Sequence, residues 1–235
     1  MFKEIHKDRS FSEILNQIIE NIQNGALKSG DSLPAERIMA ERMGVSRPVV
    51  REVLRALELL GIITSVRGGA NYISEDIEHC LIGPLSILFR LNNSGVHETQ
   101  QLRAALEEAA AGLAANRCTP VDAAELQLIL ARLDAEEDAS IRANLDRDLH
   151  IKIGKIAGNS MIFNVMSAST QLTENVISGI RAYIMQKHHS EQEVDEQHKR
   201  IVDAIINHHA AEAENYMQEH MKTVEKYIIE IRDLT

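Results

Sequence analysis

Two sets of side chains in this sequence could do chemistry. Asp146 and His150 lie four residues apart, so on a helix they share one face, whereas Asp148 points elsewhere, toward solvent. His198 and His220 fall on two later helical stretches. One carboxylate and three imidazoles make a nitrogen–oxygen donor set. It suits zinc, nickel, manganese or iron and poorly suits calcium or magnesium. The chain has ten histidines, and on spacing alone a structural role is the commoner outcome for any one of them. His188-His189 and His208-His209 sit at expected helix ends and receive no role. The second set is arginine. Arg47, Arg51 and Arg55 step by four along one helix face. Arginine can bond guanine O6 and N7 in a bidentate way from a helix laid in the major groove. A solvated basic face on an ordinary helix hairpin accounts for the same row.

The elements that must carry these residues follow from apolar periodicity. Ser10 to Asn24 reads as a first helix, with Phe11, Ile14, Leu15, Ile18, Ile19 and Ile22 on one side and Gly25 closing it. Pro34 suits a helix's first turn, and Ala35 to Met43 is rich in helix formers. Gly44 supplies the left-handed residue that ends that helix. Ser46 is placed to cap the next one, with Pro48 tolerated in its first turn. There Val50, Val53, Leu54, Leu57 and Leu60 form the buried stripe opposite the arginines.

Residues Gly61 to Ile73 read as two short β-branched runs around Gly68-Gly69, a hairpin signal. Two helices joined by a tight turn and followed by a hairpin make a winged helix-turn-helix. Its wing can carry Arg67 toward a phosphate or the minor groove.

The stretch Leu33-Pro34-Ala35-Glu36-Arg37, the run Gly44 to Leu54 and the wing Arg67-Gly68-Gly69 closely resemble the GntR family of bacterial transcription regulators. The resemblance implies that Arg37, Ser46, Arg47 and Arg51 contact DNA, with Arg67 and Gly68 at the wing.

After Ser74, residues 75–80 read as a short acidic linker, and 81–235 reads almost entirely helical. The expected helices are Leu81–Leu91, His97–Arg117, Thr119-Pro120 to Ala135, Ser140–Ala157, Met161–Lys187, Gln192–Asn207 and Ala210–Arg232. The fold class is therefore mainly α. A winged helix-turn-helix domain at 1–74 precedes an antiparallel all-α bundle of six or seven helices.

This second half is similar to the FCD ligand-binding domain of the FadR branch of the GntR family. The similarity is carried by Asp146 to His150 followed by Gly158-Asn159, by Glu196-Gln197-His198 to Ile205, and by His220 in the last helix. It implies that Asp146, His150, His198 and His220 hold one divalent transition metal ion per chain, zinc first, with nickel, manganese or iron as alternatives. It also places Asn159 near an effector. Arg103 and Glu107 match a pair the family carries on its second bundle helix. Arg103 is thus a candidate to grip an effector carboxylate by its fork; the alternative is a surface arginine paired with Glu107.

Composition sets the outer bounds. Two cysteines, Cys80 and Cys118, exclude a disulfide framework and fit a reducing, cytoplasmic home. No apolar run approaches the roughly 20 residues of a membrane span. The net charge is −10, unevenly spread. Residues 1–74 hold 10 Lys+Arg and 9 Asp+Glu, or +1, against 15 and 26, or −11, in the remainder. DNA must therefore meet a local basic face, doubled in a homodimer.

The expectation is a DNA-binding regulator, a repressor acting as a dimer on a palindromic operator in double-stranded DNA. A small organic acid at the metal site controls it. Two alternatives stand beside it. One is a metal-dependent hydrolase or lyase using a metal-activated water, although the chain has neither an HExxH-type general base nor a partnered nucleophile. The other is an acyl-CoA-responsive regulator without metal.

Overall fold

A computed structural model of the chain describes residues 9–66, 70–75, 84, 87–88, 96–170 and 188–232. It divides into two compact units, Met1–Pro84 and Leu85–Thr235.

The first unit holds α1 (Arg9–Gln23), α2 (Glu36–Met43), α3 (Arg47–Leu59), β1 (Ile63–Ser65) and β2 (Asn71–Ile73). The periodic apolar residues meet in one core. Ile14 and Ile18 of α1, Met39 and Ala40 of α2, and Val50, Val53, Leu54 and Leu57 of α3 pack together with Leu33, Ile63 and Ile73. Fully burying an aliphatic side chain of this size contributes about 1.5–3 kcal/mol before entropy is counted, so α3 is anchored by its inner face and its outer face is left to function. Gly44 adopts φ 65°, ψ 30° and turns the chain from α2 into α3. That left-handed conformation costs most other residues a clash at Cβ.

Ser46 occupies the N-cap of α3 in an extended conformation, but its hydroxyl makes no capping bond. Its carbonyl instead accepts from the N–H groups of Val49 and Val50. Leu60 departs from the expected stripe. The helix ends at Leu59, Leu60 becomes the residue that closes it, and it is 45% exposed. β1 and β2 pair antiparallel with Ile63 opposite Ile73 and Thr64 opposite Tyr72. The segment before α2 lies along β2, with Leu33 N–H donating to Asn71 O and Ile73 N–H to Asp31 O. The wing tip, including Arg67, Gly68 and Gly69, lies outside the described residues.

The second unit is a helical bundle of α4 (Val96–Ala115), α5 (Pro120–Ala135), α6 (Ala139–Ile156), α7 (160–170), α8 (His188–Ile206) and α9 (Ala210–Arg232). The expected helix over Leu81–Leu91 falls outside the described residues except at Pro84, Ile87 and Leu88. α8 already includes His188, ahead of the expected start at Gln192, and residues 171–187 of the expected Met161–Lys187 helix lie outside the described residues. α9 packs along both α4 and α8, while α6 packs against α4 and α5. The core gathers Ala111, Ala114 and Ala115 of α4, Leu126 and Leu133 of α5, Leu145, Leu149 and Ile153 of α6, and Ile201, Ile205, Met217 and Met221 of α8 and α9. Small residues on α4 let its neighbours approach closely.

Helix boundaries here have local causes. Thr119 and Asp122 form a reciprocal capping box at the start of α5. Asp138 Oδ1 accepts from the N–H groups of Ser140 and Ile141 at the start of α6. Gly158, at φ 61°, turns the chain out of α6. A Cβ there would lie 2.5 Å from the end of the Arg117 side chain, which donates to Ala157 O and would have to shift, while the positive φ itself favours glycine.

Candidate metal centre and nucleic-acid interface

Asp146 and His150 come from α6, His198 from α8 and His220 from α9. The helical period turns the first pair to one side, and bundle packing brings the other two to it. Each of the four offers a ligand atom, and these atoms all lie within 4.8 Å of one another. All four residues are buried, with Asp146 the most accessible at 6%. Asp146 Oδ1 lies 3.1 Å from His198 Nε2 and 3.7 Å from His150 Nε2. The ring centroids of His198 and His220 are 4.5 Å apart, and His150 stands 5.2 Å from His220 and 5.6 Å from His198. One carboxylate and three imidazoles converging inside a protein are a borderline N/O donor set, and they fit a divalent transition ion. Asp148 is exposed and faces Arg147, as its place on the helix demands.

Around these four sits a second layer. Glu107 of α4 is only 1% exposed, and its Oε2 meets His150 Nδ1. Its Oε1 accepts from Arg103 through Nε at 3.1 Å and Nη2 at 2.8 Å. Arg103 is itself buried and places Nη1 3.4 Å from Gln100 Oε1. It is therefore not a surface arginine, and its fork is engaged within α4. Burial alone would push the Glu107 carboxyl up; its contacts with His150 and Arg103 outweigh that and bring it to about 2. Gln197, beside His198 on α8, contacts His220 Nδ1 through Oε1 at 3.2 Å.

The role of Glu107 toward His150, and that of Gln197 toward His220, went unread in the sequence. An Arg–Glu pair four apart on a helix looks like any surface pair until burial is known. Asn159 is exposed, and its Oδ1 accepts from Met161 and Ile162 N–H, capping α7. A Gly-Asn before a helix start was the available signal for that task.

In the first unit, Arg37, Arg47, Arg51 and Ser46 are all exposed. Arg51 is forked onto Glu36, Nε reaching both carboxylate oxygens at 3.1 Å and Nη2 reaching Oε2 at 2.7 Å. Arg37 donates to Glu41 Oε1 at 2.6 Å, one turn along α2. The hydrogen bond from Arg51 comes first among the causes that hold the Glu36 carboxyl below its ordinary range, with weaker help from the charges of Arg47 and Arg55. Glu36 thus stands in the field of the whole arginine row.

Residues 11–73 match the family described as bacterial regulatory proteins, gntR family, and residues 98–223 match the FCD domain. The chain is 30% identical over 206 residues to the HTH-type transcriptional regulator LutR of Bacillus subtilis, covering 87% of this chain and 94% of that one. It is 27% identical over 230 residues to the Glc operon transcriptional activator of Escherichia coli, covering 95% and 91%. It is 29% identical over 222 residues to the putative L-lactate dehydrogenase operon regulatory protein of Escherichia coli, covering 92% and 85%. Among solved structures it is similar to Streptococcus agalactiae GntR, with a TM-score of 0.68 at 22% identity over 92% of this chain and 99% of that one. The relatives are regulators, and the hydrolase or lyase alternative gives way. Among the described residues no helix is long and apolar enough to cross a membrane.

Proposed function

The chain belongs to the GntR family of bacterial regulators and carries an FCD domain, and from that premise we propose that it is a repressor released by a small organic acid. Membership makes it a DNA-binding transcription regulator. Residues 1–74 bind DNA, 75–80 link, and 81–235 sense the effector. Two copies place two α3 helices in successive major grooves of a palindromic operator. Arg47 and Arg51 read base edges or phosphates there, Arg37 and Ser46 support them from the turn, and Arg67 and Gly68 act from the wing. The compartment is the cytoplasm.

Asp146, His150, His198 and His220 hold one divalent ion, zinc first. Bound there, the ion supplies a Lewis-acidic positive centre on which an effector carboxylate can dock. Arg103 is the buried cation best placed to assist, and Asn159 is the weaker candidate because its oxygen already caps α7. The single observation that carries this reading is the convergence of four buried ligand atoms from three helices within 4.8 Å. A buried carboxylate among imidazoles is costly without a cation, whereas a bound ion compensates it. The metal-free acyl-CoA alternative leaves that convergence without a purpose. The name of one relative, a putative L-lactate dehydrogenase operon regulatory protein, points the search for effectors to small hydroxy acids.

The test is a gel shift on an operator selected from random DNA. Zinc-loaded protein is titrated with L-lactate, pyruvate and gluconate. One of these acids should release the DNA, and chelation should abolish its effect. Tighter operator binding in the acid's presence would overturn the repressor reading, and an unchanged response after chelation would overturn the metal's part in it.

A further inference from the structure

We propose that two side-chain relays, Arg103–Glu107–His150 and Thr223–Gln197–His220, fix both imidazoles with hydrogen on Nδ1 and reserve their Nε2 atoms for the metal. The destination rests on the metal reading above; the relays themselves belong to the metal-free chain. Each relay starts on a group with no choice of role, and that decides every later bond.

The second relay begins at a backbone carbonyl, which can only accept. Thr223 Oγ1 lies 3.1 Å from Glu219 O and must donate its one proton there. Toward Gln197 it can then only accept, and Gln197 Nε2 donates to it at 2.9 Å. That orients the carboxamide and turns Oε1 onto His220 Nδ1 at 3.2 Å. An amide oxygen only accepts, so Nδ1 carries the hydrogen. A neutral imidazole has one donor and one acceptor nitrogen, so Nε2 keeps the lone pair that a metal needs.

The first relay begins at a guanidinium, which only donates. Arg103 takes up Glu107 Oε1, leaving Oε2 against His150 Nδ1. A carboxylate only accepts, so this Nδ1 also carries the hydrogen, and His150 Nε2 is the atom facing Asp146. Neighbouring residues of α8 thus divide the work. His198 points into the site, and Gln197 braces the imidazole of α9. Arg103, Glu107, Gln197 and Thr223 are positioning residues. Partners of this kind set the tautomer and typically change metal affinity about 10–100-fold when removed.

The experiment uses the full chain with 15N-labelled histidine, stripped of metal and then titrated with zinc alone. Wild type should show His150 and His220 as Nδ1–H forms before zinc is added. Gln197→Leu should shift His220 toward the Nε2–H form and weaken zinc binding by about 10–100-fold, while Gln197→Glu, which keeps an acceptor, should restore both. Thr223→Val should move His220 in the same direction as Gln197→Leu, and Thr223→Ser should not. If folded Gln197→Leu keeps the wild-type His220 spectrum or zinc affinity, the relay is overturned. If wild type fails to bind zinc while both histidines show Nδ1–H, the metal reading falls and the relay stands. The reverse pattern, zinc bound but His220 as Nε2–H in the stripped protein, sinks the relay alone.

Discussion

The two units pair guanidinium with carboxylate in opposite ways. In the first, Arg51 and Glu36 meet at 2.7 Å with side chains 46% and 28% exposed. In the second, Arg103 and Glu107 meet at 2.8 Å with side chains 5% and 1% exposed. The bond lengths are nearly equal, so distance does not separate the two roles. Solvent does. An exposed pair is screened by water and salt and exchanges readily with another anion, such as a DNA phosphate. A buried pair has no replacement at hand, so each partner is held by the other. The exposed pair can serve recognition by exchanging its partner, and the buried one holds geometry around the site.

The largest effect expected from breaking this contrast is at Glu107. Glu107→Ala leaves Arg103 buried without its carboxylate and His150 without its acceptor. A buried pair broken on one side loses about 3–5 kcal/mol, to be read as a lower midpoint in urea denaturation. A loss too small to measure would mean the pair is not held by burial, and the contrast would dissolve. Next comes metal. Zinc at a hundred times its Kd should raise the stability of the wild type by about 2.7 kcal/mol. Asp146→Ala should abolish that rise, and Arg51→Ala should leave it intact.

DNA binding should divide the other way. Arg47→Ala and Arg51→Ala should each weaken operator binding roughly ten- to hundredfold, the worth of one good bidentate contact. An arginine on a phosphate should also reduce the salt slope by about 1. Zinc affinity should not move. A smaller effect belongs to Asp122. Hydrogen bonds from Lys152 and then Thr119 hold its carboxyl down at about 2, against an ordinary 3.8. An acid with a lowered folded value contributes stability that is complete above 3.8 and is lost as pH falls toward 2. Asp122→Asn should therefore destabilise by about 1 kcal/mol near neutrality, the usual scale for a cap, and by progressively less as pH drops below 3.8.

How legible these sites were depends on how far apart in sequence their causes lie. The α3 stripe needs only the 3.6-residue period, and Val50, Val53, Leu54 and Leu57 are buried as that period requires. Leu60 misled because the period says nothing about where a helix stops. Asp146 and His150 are one turn apart, so their common face was readable. His198 and His220 lie 48 and 70 residues beyond His150 (198 − 150 and 220 − 150). Nothing local tells which face of a distant helix will turn toward them, and only resemblance joined them to the set. Arg142 shows the same limit. It looks like a helix-surface residue, yet it is buried, with a two-oxygen bond to Asp195 of α8. Gln197 was invisible as a brace because its partner, Thr223, lies on another helix.

The smallest expected effect is the most direct test of the exposed side of the contrast. Glu36 holds Arg51 by three bonds and stands in the field of Arg47 and Arg55. Glu36→Gln removes a negative charge from the face proposed to meet phosphate, and it also loosens the guanidinium's preset direction. The first change strengthens binding to any duplex, most of all at low salt, where screening is weakest. The second weakens the advantage of the operator over random sequence. Affinity for random DNA should therefore rise a few-fold while the ratio of specific to non-specific binding falls, with urea stability nearly unchanged. Measured at two salt concentrations, a ratio that stays constant would show that Glu36 does not aim Arg51. The exposed pair would then be an incidental contact, in contrast to the buried one.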